Sequence, residues 1–219
     1  MTRLAVFDCD GTLVDGQADV CWSMARAFER ADLPAPDDND VRRRVGLSLG
    51  VAIRELAPDL DEDQHRAVVE FYKSSYRARR EEGLLEEPLY DGIADLLRAL
   101  HEDGWSLAVA TGKSDRGLVA CLDAHGLTDL FVSLQTADRH PSKPHPAMLE
   151  AALFEAAAQP EEAVMIGDTT FDIEMARAAG VASIGVAWGY HAPSELIAAG
   201  ASSVASDQQD LARQLRAPV

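Results

Sequence analysis

The sequence predicts an α/β protein, a doubly wound parallel sheet interrupted by one helical insertion. Three observations predict it. Short apolar, β-branched runs recur as LAVF (4–7), SLAVA (106–110), FVSL (131–134), AVMIG (163–167) and ASIGVAW (182–188), the pattern of strands buried on both faces. Helical stretches with apolar residues three to four apart separate these runs, and strand-helix alternation implies parallel pairing. The stretch 16–88 breaks the alternation, because it contains helical patterns and no good strand run.

The elements follow in chain order. The first strand, 4–7, leads through a polar loop into the insertion, whose helical patterns fall around 17–31, 38–57 and 61–82. The chain returns at Pro88 and Gly92, so the core is expected to be 1–15 plus 89–219, with 16–88 as an α-helical cap domain hinged on two linkers. Ile93, Leu96, Leu97 and Leu100 mark the next helix, and the strand 106–110 precedes a helix starting near Ser114. After the strand 131–134, a Pro-rich loop at 140–146 opens a helix marked by Met148, Leu149, Ala152 and Leu153. The strand 163–167 precedes a helix carrying Ile173, Met175 and Ala176, and 182–188 supplies the fifth strand.

Composition bounds the function. At 219 residues and 47% hydrophobic content the chain can build a sizeable core, which excludes disordered and fibrous classes. The formal net charge of -17 argues against nucleic acid and anionic membranes as partners. No apolar run approaches the roughly 18–20 residues of a membrane span, and the amino terminus lacks a signal-peptide pattern, so a soluble cytoplasmic protein is expected. Cys9, Cys21 and Cys121 are odd in number and contain no CxxC, which fits a reducing compartment. The six histidines are dispersed, and the local pair His140 and His145 has no cysteine partners for zinc.

Ligands of an open parallel sheet sit beyond the carboxyl ends of its strands. Four segments of this chain end there in polar residues: Asp8-Cys9-Asp10-Gly11-Thr12, Thr111-Gly112-Lys113, Lys143-Pro144, and Gly167-Asp168 with Asp172. Each one alone has a plainer reading. The D-x-D pair also suits a turn or helix cap, Thr111-Gly112 a helix start, and Asp168 with Asp172 a helix dipole. Of only three lysines, Lys113 and Lys143 both fall at these loop positions, Lys143 between prolines at 141 and 144.

Taken together and in this order, the segments resemble the four motifs of the haloacid dehalogenase-like superfamily, in its magnesium-dependent phosphatase branch. Asp8 through Asp15 is similar to the first motif, Thr111 to the second, Lys143-Pro144 to the third, and Gly167-Asp168 through Asp172 to the fourth. The insertion matches the family's helical cap, and the phosphoglycolate phosphatase-like enzymes are the most similar branch, with Val41-Arg42 to Val45-Gly46 resembling a cap segment there. Gly16 stands where that family commonly has serine, and Ser142 where glycine often precedes the lysine.

The resemblance implies a hydrolase of a small phosphorylated metabolite acting through an aspartyl-phosphate on Asp8, with Asp10 as acid and base. It implies Mg2+ held by Asp8, the Asp10 carbonyl and Asp168, with Asp172 orienting Lys143 or a water. Thr111 and the amides of Gly11, Thr12 and Gly112 would bind phosphoryl oxygens, Lys143 would offset charge and Lys113 would assist. Asp10 needs a carboxyl raised above its ordinary ~3.9 for that role. Arg42 is the first choice among cap arginines for reading a second anionic group, and Cys9 reads as a packed strand-end residue. A β-phosphoglucomutase-like phosphomutase and a non-catalytic partner-binding module remain the alternatives.

Overall fold

The computed structural model describes residues 3–216. Six strands form one sheet: β1 (Arg3–Phe7), β2 (Trp105–Thr111), β3 (Phe131–Thr136), β4 (Ala163–Gly167), β5 (Ala182–Val186) and β6 (Ser203–Ala205). Their order is β3-β2-β1-β4-β5-β6, and every pair is parallel. The chain winds outward from β1 in one direction and then, from β4, in the other. The topological switch therefore lies between β1 and β4, where a doubly wound sheet opens its ligand crevice.

Ten α-helices and two short 3-10 helices (Thr128–Leu130 and Pro160–Glu162) complete the described elements, the α-helices being α1 (Gln17–Arg30), α2 (Asp38–Arg42), α3 (Leu49–Leu56), α4 (Glu62–Glu81), α5 (Ile93–Glu102), α6 (Asp115–Ala124), α7 (Ala147–Glu155), α8 (Thr170–Ala178), α9 (Pro193–Ala199) and α10 (Gln208–Arg216). Successive residues of β1 face opposite sides, so both faces are buried. Ala5 and Phe7 pack with Ile93, Leu97 and Leu100 of α5, whereas Leu4 and Val6 pack with Met148 and Leu149 of α7 and Met175 of α8. Full burial of one such large side chain contributes about 1.5–3 kcal/mol. Helices α1 to α4 have an apolar cluster of their own that includes Met24, Phe28, Ile53 and Val68.

The strands read from the sequence all appear, with β3 reaching Thr136 and β5 ending at Val186. The helical pattern at 38–57 is not one helix. It breaks into α2 and α3 around a turn at 43–48 where Gly46 has φ 98° and Ser48 is extended, so the chain reverses before α3 begins. The strand β6 and the helices α9 and α10 are not anticipated by the sequence patterns, since a three-residue strand is too short to show a period. No described helix is long and apolar enough to cross a membrane.

Candidate active site

The ladder between β1 and β4 extends one step past Phe7, with Asp8 N–H donating to Ile166 O at 2.9 Å. That step brings Asp8, directly after β1, alongside Asp168, directly after β4. Asp172 joins them from the first turn of α8: one carboxylate oxygen from each of the three lies within 4.8 Å of the others, and all three residues are buried. Lys143 reaches the cluster from the Pro-rich loop, its Nζ 3.0 Å from Asp8 Oδ1 and 2.6 Å from Asp172 Oδ1, with no exposed side-chain surface.

Each carboxylate is held in place. Asp8 Oδ1 accepts from Cys9 N–H at 2.7 Å. Asp168 accepts from Thr12 Oγ1 at 2.9 Å and from Tyr190 N–H at 2.9 Å. Asp172 Oδ2 accepts from Thr169 N–H at 3.1 Å and Thr169 Oγ1 at 2.8 Å, so this residue stabilises the start of α8 and orients Lys143 together. Glycines make room for this packing. A Cβ on Gly11, which has φ 83°, would stand 2.2 Å from Asp168 Oδ2, and one on Gly189 would stand 2.1 Å from Asp168 Cβ.

Burial pushes the Asp8 carboxyl up to about 7, with Lys143 pulling the other way and Asp172 and Asp10 adding to the rise. Burial also raises Asp168 well above the ordinary carboxylate range, helped by Asp8 and Asp172. Lys143 is lowered by burial, but Asp172 and Asp8 outweigh that and raise it. Two of the three carboxylates thus contact one ammonium, and Asp8 Oδ2 is buried with no hydrogen-bond partner. A buried acceptor of this kind, beside two further acidic oxygens, fits a hard divalent cation.

Asp10 lies apart from that cluster. Its Oδ1 is 3.0 Å from Lys113 Nζ, which also lies 2.5 Å from Glu87 Oε1. Glu87 accepts from Tyr76 OH at 2.8 Å and pairs with Arg80 at 3.2 Å. Burial raises the Asp10 carboxyl, Lys113 opposes the rise and Glu87 supports it. Glu87 is itself raised by burial but held below its ordinary value by Lys113. Thr111 is buried at the end of β2, and its hydroxyl accepts from Lys113 N–H at 3.3 Å, leaving its own O–H to donate.

Two assignments expected from the sequence change in the structure. The Gly11 amide donates to Val14 O at 2.9 Å and the Thr12 amide to Cys9 O at 3.3 Å, so both are spent inside their own turn and do not face a phosphoryl group. The turn must satisfy its buried backbone, and it does so internally. Arg42 pairs with Asp38 at 3.9 Å at the end of α2 and is absent from the lining of the adjacent cavity, because the turn that follows carries Val45 to Ser48 there instead. Cys9 is a buried free thiol, raised in pKa and packed in the core with Cys121.

The 43–48 turn docks on the strand ends. Arg43 pairs with Glu195 at 2.7 Å, Ser48 N–H donates to Ser142 Oγ at 2.8 Å, and a Cβ on Gly112 would lie 2.4 Å from Leu47 O. His191 bridges both sides: Nδ1 accepts from Thr170 N–H at 3.1 Å, which leaves Nε2–H to donate to Arg43 O at 3.1 Å. Under the turn lies a cavity of about 580 Å3 that reaches Asp10, Gly112 and Lys113. Glu87, Tyr76, Tyr190 and His191 carry no signal in the sequence. Pro88 and Gly92 mark the return from the insertion, but nothing in the linear order pairs Glu87 with a lysine after β2.

Known proteins agree with this geometry. The pattern of the haloacid dehalogenase-like hydrolase family matches residues 5–186. The chain is 36% identical over 204 residues to "Probable phosphatase IndB" of Dickeya dadantii (strain 3937), covering 91% of this chain and 87% of that protein. It is 31% identical to the "Phosphoglycolate phosphatase" of Vibrio vulnificus (strain YJ016), covering 86% of this chain and 85% of that protein. Among solved structures, a predicted phosphatase from Clostridium acetobutylicum superposes with a TM-score of 0.88 at 26% identity over 98% of each chain. With the four polar strand ends converging at the topological switch, these matches establish that the chain belongs to the haloacid dehalogenase-like hydrolase family.

Proposed function

We propose that this hydrolase is a magnesium-dependent phosphatase that cleaves a small phosphate monoester through an aspartyl-phosphate on Asp8. The observation that supports it best is the buried, unpartnered Asp8 Oδ2, set beside Lys143 and two further carboxylates. Residues 16–88 serve as the cap and 1–15 with 89–219 as the core. The three buried free cysteines support a reducing compartment, the cytoplasm.

The chemistry follows from which groups are free. Asp8 and Asp168, with the Asp10 carbonyl, would hold Mg2+, whose charge lets a carboxylate approach a phosphate dianion when it is bound. The Asp8 carboxylate forms a bond to phosphorus as the ester P–O bond breaks, and Asp10 gives its proton to the departing alkoxide. Asp10, now ionised, takes a proton from water as that water attacks phosphorus, which frees Asp8 and releases phosphate. Lys143 offsets charge on Asp8, Thr111 O–H and the Gly112 amide bind phosphoryl oxygens, and Asp172 positions Lys143. Lys113 holds Asp10 and Glu87 and leaves phosphate contact to these groups.

Phosphate release from a panel of primary alkyl phosphates, with Mg2+ and then with excess chelator, tests this reading. Release that depends on the metal is expected. An isomerised sugar phosphate without release would replace the reading with a β-phosphoglucomutase-type transfer, and no reaction at all would return the fold to a binding role.

A further inference from the structure

The cavity beside Asp10 is larger than a short carboxylated ester requires. At about 580 Å3 it falls in the range that encloses ligands of drug size. The leaving group of phosphoglycolate has five non-hydrogen atoms; at roughly the ~30 Å3 share of a water molecule each, it fills on the order of 150 Å3. The walls are mainly apolar. Val20 and Met24 of α1, Val45 and Leu47 of the turn, Leu56 of α3 and Val69 of α4 all face the space, together with the stacked rings of Tyr72 and Tyr76.

Four of the six cations of this lining already have an acidic partner. Lys113 serves Asp10 and Glu87, Arg80 pairs with Glu87 at 3.2 Å, and Lys73 with Glu70 at 3.0 Å. Arg44 donates from Nη1 to Asp40 O at 2.9 Å and stands 3.7 Å from the Asp40 carboxylate and 3.6 Å from Glu55, with its buried Nε–H unpartnered. Arg77 and Arg116 have no ion-pair partner among the described residues, but both are exposed, and a hydrated guanidinium offers an anion little. A carboxylate two carbons from phosphorus would have to settle near Lys113, where two carboxylates already share one ammonium. An apolar group at the same place removes the surrounding wall from water.

We infer that this site selects phosphate monoesters of bulky, largely apolar primary alcohols over short carboxylated esters such as phosphoglycolate. The inference rests on the phosphatase reading above and specifies its substrate class. Val45, Leu47 and Val69 are the wall residues that would set the preference, and they come from two separate elements of the insertion.

The test compares kcat/KM for 3-phenylpropyl phosphate, ethyl phosphate and phosphoglycolate with the wild-type chain and Mg2+. The phenylpropyl and ethyl leaving groups are simple primary alkoxides of nearly equal acidity, so acidity does not decide their order. At least a tenfold preference for the phenylpropyl ester over phosphoglycolate is expected. The reverse order overturns the inference and leaves the phosphatase reading intact, while no release from any ester overturns that reading and the inference with it. Val69→Trp fills the cavity and should cut the phenylpropyl-to-ethyl ratio at least tenfold; an unchanged ratio overturns the role of the wall. Should that variant fail to fold, inhibition of the wild-type chain decides instead. 3-Phenylpropylphosphonate should inhibit at least tenfold more strongly than phosphonoacetate, and equal or weaker inhibition overturns the inference.

Discussion

Lys143 Nζ lies 3.0 Å from Asp8 Oδ1, and neither side chain has any exposed surface. Both ions lost their water on folding, so the pair as a whole adds less to stability than its Coulomb attraction suggests. Removing one partner is a different matter. Lys143→Met leaves Asp8 and Asp172 buried beside Asp168 without a cation, and it should lower the stability of the metal-free protein by about 3–5 kcal/mol. Urea unfolding measures this; a loss below about 1 kcal/mol would show that the carboxyls simply protonate at no cost.

Asp8→Asn separates chemistry from stability at the same pair. Turnover should fall on the order of 10^4-fold or more, since the amide is no nucleophile. The metal-free thermal midpoint should not drop, because burial already pushes the Asp8 carboxyl toward its neutral form at about 7. Activity close to wild type would remove Asp8 from its proposed role.

The raised carboxyls make stability depend on pH with a definite sign. Asp8 binds its proton more tightly folded than unfolded, so its contribution is complete below the ordinary value of 3.8 and is lost as pH rises toward about 7. Asp10 and Asp168 are raised as well and act in the same direction. The metal-free midpoint should therefore fall between pH 5 and pH 8, and added Mg2+ should raise it more at pH 8 than at pH 5. Calorimetry with and without chelator would expose a flat profile, which contradicts this account of the cluster.

Glu87 supports the raised carboxyl of Asp10 through their shared contact with Lys113. Glu87→Gln removes that negative charge, so Asp10 should lose its proton at lower pH. Because Asp10 must carry a proton to supply the leaving alkoxide, the alkaline limb of the kcat profile should move to lower pH. A profile that keeps its limb and changes only in height would make Glu87 purely structural.

Gly112 tests the docking of the 43–48 turn. An alanine Cβ there would stand 2.4 Å from Leu47 O and 2.8 Å from Gly46 O, both backbone atoms that cannot rotate away. Gly112→Ala should hold the turn off the strand ends and lower kcat/KM at least tenfold, with the far-ultraviolet spectrum unchanged. Unimpaired kcat/KM would mean that the docked turn is not needed for turnover.

Much of this site is legible in the order of residues along the chain. Asp8, Thr111, Lys143 and Asp168 each follow or adjoin a strand whose apolar run declares it, and parallel pairing sends all such ends to the same edge of the sheet. Local composition and period suffice for that, because a strand buried on both faces has little freedom to read otherwise. The break between α2 and α3 is less visible, since Arg43 to Ser48 is compatible with a helix until Gly46 takes a positive φ and the turn finds Ser142, His191 and Glu195.

What the sequence by itself determined was the α/β architecture, the helical insertion and the carboxylates and lysine at its strand ends. Only the tertiary structure decided how they are used. It set Asp172 into the cluster, spent the Gly11 and Thr12 amides within their own turn, moved Lys113 onto Asp10 and Glu87, and kept Arg42 off the cavity lining. The physical reason is that a hydrogen bond or ion pair between residues 26 or 156 positions apart, as in Lys113 with Glu87 or Thr12 with Asp168, leaves no periodic trace in the chain. Such pairs are selected by burial, where every polar atom must find a partner and only the folded geometry says which one is near.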